Sequence, residues 1–172
     1  RSAFEAASKV AGDPELQEDA LYNYAVLSYK LDINPYDEAV TALEEYLRRY
    51  PNSLRKSDVN QYLVNVYTTT NNYDKALASL DKIPQKDAKL KAAYQLVAFN
   101  QGVKFFQEAN YVKAINSFEL SEKYPVDPEV TVKSKFWSAD ALFRSNKTDQ
   151  AIKLFKEVVT LPLSGELKAD SY

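Results

Sequence analysis

Residues 36–53 read YDEAVTALEEYLRRYPNS, and the way this stretch returns along the chain decides the fold. Related runs begin at Tyr73 (YDKALASLDKIP), Tyr111 (YVKAINSFELSEKYPVDP) and Thr148 (TDQAIKLFKEVVTLPLS). Their common register is set by a small residue: Ala39, Ala76, Ala114 and Ala151 are separated by 37, 38 and 37 residues. Four positions after each alanine stands a bulky apolar side chain, Leu43, Leu80, Phe118 or Phe155. Three positions before it stands Tyr36, Tyr73 or Tyr111, with Thr148 in the last copy. On a helix, residues three and four apart share a face. Each copy therefore predicts a helical turn carrying an aromatic, an alanine and a large apolar group together. The alanine lets a neighbouring helix approach, and the large residue fills the space beside it.

Working outward, turn signals stand where such helices must stop: GDP at 12–14, INP at 33–35, YPNS at 50–53, TNN at 70–72, IPQKD at 83–87, YPVDP at 124–128 and SNKT at 145–148. The segments between them have helical apolar spacing. They predict helices near 2–11, 15–31, 36–49, 56–69, 73–83, 87–108, 111–123, 129–145 and 148–160, with a further start from about 165. Helices joined by short turns pack as antiparallel neighbours. The expected fold is all-α, a solenoid of stacked antiparallel helix pairs.

The first helix of each pair repeats too. Tyr29, Tyr67, Phe105 and Leu142 hold one large position, and Val26, Val64, Gly102 and Ala139 a smaller one three residues earlier. Pro51 and Pro125 close two copies, and the first copy needs one inserted residue in KLDINP. With these residues the chain resembles the tetratricopeptide repeat family, whose pattern runs W-x2-L-G-x2-Y…A-x3-F…P. The resemblance covers almost the whole chain. It implies repeats at 15–53, 54–86, 87–127 and 128–162, preceded by the end of another repeat (1–14) and followed by the start of a further helix (163–172). The ends read as incomplete, with Phe4 and Leu167 expecting neighbours, which predicts self-association through them. The period exceeds the family's usual 34 residues, and the surplus falls in turns closing on Tyr-Pro. In that respect the repeats are similar to those of bacterial envelope proteins of the outer-membrane assembly lipoprotein and Tol–Pal coordinator types.

Composition narrows the function. The chain has no His, no Cys and no Met. The commonest metal ligands, a thiol nucleophile and the usual general base are absent. No methionine stands at position 1, so the chain reads as a segment of a longer protein. The three glycines are scattered and form no phosphate loop, and no cofactor or metal motif is present. A net charge of -2 disfavours nucleic acid as a partner. No apolar run is long enough to span a membrane. Glu44 and Glu45 are adjacent and face different directions, so they read as a solvated helix face, paired four residues on with Arg48 and Arg49. No enzyme is expected.

Stacked pairs instead leave an open face lined by their first helices. The resemblance implies that this groove is faced by Asn23, Tyr24 and Leu27; by Gln61, Tyr62 and Asn65; by Phe99, Asn100, Val103 and Phe106; and by Trp137, Asp140 and Arg144. Carboxamides can pair with both N–H and C=O of a peptide, and Tyr and Trp supply stiff contact area. The tetratricopeptide repeats that clamp acidic chaperone tails use Lys and Arg where this chain has Asn23, Leu27 and Tyr62. The expected function is a non-enzymatic scaffold for a peptide or protein segment, extended or helical, in a bacterial envelope or periplasmic assembly. The alternative is a cytoplasmic regulatory or sensor module that captures a signalling peptide. Against a ligand role, aromatics at helical spacing are more often core, which is the expectation for Tyr29, Tyr67, Phe105, Phe118 and Phe155.

Overall fold

Every regular element is helical in the computed structural model, which describes residues 1–10, 12–31 and 36–162, and for Tyr36 the backbone alone. The described residues form α1 (Ser2–Ala7), α2 (Pro14–Leu31), α3 (Tyr36–Arg49), α4 (Lys56–Thr69), α5 (Tyr73–Lys82), α6 (Ala88–Gln107), α7 (Tyr111–Ser121), α8 (Pro128–Arg144) and α9 (Thr148–Val158). They contain no strand. The chain divides into two compact units, Arg1–Thr70 and Asn71–Tyr172. Within each unit consecutive helices pack on one another, and the first helices of successive pairs also touch, α2 with α4 and α6 with α8. This is the all-α architecture of stacked helix hairpins.

The helix limits follow the turn signals closely, apart from α1. The segment expected to run to about residue 11 leaves the α-helix after Ala7. There the Ser8 hydroxyl donates back to the Glu5 carbonyl (2.8 Å), and the Lys9 and Val10 amides bond only three residues back, tightening the last turn. The insertion at 32–35 and the expected final segment from 163, including Leu167, lie outside the described residues.

Capping explains several of the limits. Asp13, Asp87 and Asp127 accept first-turn amides of α2, α6 and α8, and Pro14 and Pro128 stand at the first helical positions, where no amide is missed. Asn72 and Asn110 cap α5 and α7 in the same way. The turns after α6 and α8 are twins. Ala109 and Asn146 take the left-handed conformation (φ 56° and 60°). Asn110 N–H then bonds to Phe105 O (2.8 Å), and Lys147 N–H to Leu142 O (2.9 Å), as in a Schellman turn.

In Arg1–Thr70, Ala39, Leu43, Tyr46, Val59, Leu63 and Tyr67 are fully buried. A buried phenol needs a hydrogen-bond partner. Tyr46 and Ser53 both donate to Glu18 Oε1 (2.7 and 2.6 Å), tying the YPNS turn to α2. The Ser53 bond, then the Tyr46 bond, holds the Glu18 carboxyl below its ordinary value. Tyr67 donates to Glu44 (2.8 Å), so Glu44 is not merely solvated. Arg48 pairs with Glu45, three residues away (2.6 Å), rather than with Glu44. Arg49 reaches the Ser8 carbonyl (3.2 Å) and lies over the Tyr50 ring.

In Asn71–Tyr172, α6 is flanked by α5, α7 and α8. Ala76, Leu80, Ala114 and Phe118 are fully buried, and Ala151 nearly so. Gly102 is required by proximity: a Cβ there would lie 2.5 Å from Phe118 Cε1. Polar side chains are buried between these helices as well. Gln95, at 0% exposure, donates to Asp127 O and Thr131 Oγ1 (both 2.9 Å). It also accepts the amides of Val126 and Asp127 (3.1 and 2.7 Å), which fixes the YPVDP turn on α6. Ser121 donates to the Gln95 carbonyl, and Ser117 to Gln101 Oε1 (both 2.9 Å).

Of the aromatics expected in the core, Tyr67 and Phe118 are buried, while Tyr29, Phe105 and Phe155 are only partly so. Phe4 is 40% exposed.

Candidate functional site

The thirteen groove positions expected from the sequence all lie on α2, α4, α6 and α8. Twelve are partly buried and Arg144 is exposed. None is a core residue, but their surroundings differ.

On α2 and α4 most of the polar groups are already engaged. Asn23 donates to its own helix at Asp19 O (2.8 Å). The Tyr24 hydroxyl donates to Glu38 (2.9 Å), and burial first, then this bond, pushes its pKa up to about 12. Tyr29 and Tyr62 pack with ring centroids 4.9 Å apart. Asn65 donates to the Tyr29 hydroxyl (3.4 Å) and accepts from Gln61 (3.1 Å). Leu27 is half-buried beside buried Val26 and Ser28.

The α6 and α8 positions form a different surface. Phe106 meets Trp137 (5.1 Å) and, at the start of α7, Tyr111 (5.5 Å), both edge to face with ring planes inclined at 67° and 66°. Arg144 lies over Phe106 with Cζ 5.2 Å from the ring centre, and its Nε donates to Asp140 (3.1 Å). Phe99 is turned inward, against Phe118 (5.9 Å). Asn100 and Val103 line a hollow of about 270 Å³ with Asn71, Tyr73, Lys104 and Gln107. Among the described residues Asn100, Gln107, Asn71, Lys104 and the Tyr73 hydroxyl make no side-chain hydrogen bond. The hollow thus presents three carboxamides, a phenol and an ammonium, all free for a guest.

The sequence reading named Asn100 and Val103 but missed the rest of the hollow and Tyr111. Lys104 and Gln107 stand four positions after those two on the same helix, so their shared face was readable. Asn71 and Tyr73 reach the hollow only because α5 packs on α6.

Among the described residues no group of three or more acidic side chains could hold a metal ion. None of their helices is long and apolar enough to cross a membrane.

Stacked helix hairpins with a partly open face on their first helices define a helical-repeat protein. Two family models, both described as tetratricopeptide repeat, match residues 34–98 and 133–164. Together they span more than half of the chain, which belongs to the tetratricopeptide repeat family. These are interaction modules, and they point to a protein partner. No curated protein and no solved structure matches the chain significantly.

Proposed function

We propose that the chain is a non-enzymatic scaffold that holds a peptide or protein segment on the face formed by α6 and α8. The observation that carries this reading is the Phe106–Trp137 pair between α6 and α8, and it is supported by the hollow on α6, whose carboxamides make no side-chain hydrogen bond among the described residues. Rings supply apolar contact at small cost in side-chain freedom, and carboxamides supply the donor and acceptor that a peptide backbone requires. The Tyr29–Tyr62–Asn65 cluster offers contact area of similar chemistry on α2 and α4.

The setting we propose is a bacterial cell-envelope assembly. The long repeat period and the Tyr-Pro closures at 50–51 and 124–125 support it. Recovery of the source protein from cytosol would replace this setting with that of a cytoplasmic module for a signalling peptide.

Trp137 is the only tryptophan and reports on the face directly. Peptides selected from a displayed random library should change its emission on binding. Phe106→Ala and Asn100→Ala should each weaken that binding by about tenfold or more, as central contacts do. Equal affinity for wild type and both variants would refute the site.

A further inference from the structure

The aromatic corner on α6 and α8 already contains a cation, and that cation is the chain's own. Phe106 is the shared ring, with Trp137 and Tyr111 edge to face against it at 5.1 and 5.5 Å. Asp140 stands three residues after Trp137 on α8, its side chain only 20% exposed, and accepts from Arg144 Nε (3.1 Å). A sheltered carboxylate is stabilised by a nearby positive charge. The Arg144 guanidinium supplies it, 5.2 Å from the centre of Phe106.

The two partners are not held alike. Asp140 is the more sheltered of the two, whereas the Arg144 side chain is 50% exposed at the end of α8. Its contacts, an i,i+4 pair with Asp140, an exposed cation–π contact with Phe106 and a hydrogen bond with Tyr111, are individually weak.

We propose that this corner is a receptor for a cationic side chain, lysine or arginine, of the bound segment, and that Arg144 is a self-ligand displaced when the segment docks. The inference rests on the proposed use of the α6–α8 face. It adds that the guest carries a basic residue and that the free chain is masked against it.

The test uses the Trp137 emission of the whole chain at constant ionic strength, with N-acetyl-arginine amide, N-acetyl-lysine amide and uncharged N-acetyl-glutamine amide as probes. Arg144→Ala should bind the two cations about tenfold more tightly than wild type does, the factor expected if Arg144 fills the corner roughly nine-tenths of the time. Glutamine amide should show no such gain. Adding Asp140→Asn to Arg144→Ala should abolish the gain. Equal response of wild type and Arg144→Ala to the cations, or a gain that survives Asp140→Asn, overturns the proposal. Library peptides that bind the face without any basic residue overturn it too, while leaving the scaffold reading intact.

Discussion

Replacing Gly102 by alanine sets two effects of similar size against each other in one helix. In the middle of a helix, alanine is favoured over glycine by about 1 kcal/mol, because it loses less backbone freedom. The new Cβ, however, would lie 2.5, 2.6 and 3.0 Å from Cε1, Cδ1 and Cζ of Phe118. Comfortable carbon contacts begin at roughly 3.5 Å, so the ring must retreat by about 1 Å. It has little room to do so, being 0% exposed with the Phe99 ring 5.9 Å away. Overpacking of this kind costs about 1–3 kcal/mol, and the rigid surroundings place it toward the upper end. The expected net result is a loss of about 1–2 kcal/mol, which for a chain of this size lowers Tm by about 2–8 °C. Thermal unfolding followed by far-UV circular dichroism measures it. Phe118→Leu in the Gly102→Ala background should recover much of the loss, since the first two repeats pair Val26 with Leu43 and Val64 with Leu80 in the corresponding sequence positions. A Gly102→Ala protein as stable as wild type would refute the close-approach argument.

At Ala109 the opposite exchange should have the opposite sign. Its φ of 56° strains any residue with a Cβ, so Ala109→Gly should raise stability by about 1 kcal/mol, and an unchanged denaturation midpoint would count against the strain. Gln95→Leu removes two donated and two accepted hydrogen bonds from a buried site and should cost about 2–4 kcal/mol in urea unfolding; a loss below roughly 0.5 kcal/mol would show that water replaces them. Ser53→Ala should cost about 1 kcal/mol at neutral pH. Because Glu18 has a depressed pKa in the folded chain, its contribution is present above the unfolded carboxylate value and is lost as pH falls through the lower folded one. The difference between wild type and Ser53→Ala should therefore shrink in acid, and a pH-independent difference would contradict the role of Glu18.

The spacing of Ala39, Ala76, Ala114 and Ala151 made the fold legible, because a buried small residue every 37 or 38 positions leaves a strong periodic trace. Turn residues marked most helix limits for the same reason: Asp87, Asp127 and Asn110 act locally, through their own helix. The fully buried Gln95 left no such trace. A glutamine on a helix reads as surface unless its partners are known, and its partners lie more than thirty residues away. The site was legible in part. The family resemblance implied groove positions for Phe106, Trp137, Asp140 and Arg144, which lie on α6 and α8 outside the core. Neither it nor helical spacing could show that Arg144 folds back over Phe106, or that Phe99 leans on Phe118. Those outcomes depend on rotamers and on which neighbour arrives first, and periodicity carries no information about either.

The matching Schellman turns after α6 and α8 bear on how such a protein changes length over time. A stretch bounded at both ends by the same turn geometry, as α7 with α8 is, can be copied in tandem by unequal recombination without a new junction having to be invented. Size in this chain is then an evolutionary variable tuned by whole units, each addition extending the surface while leaving the chemistry of existing contacts in place.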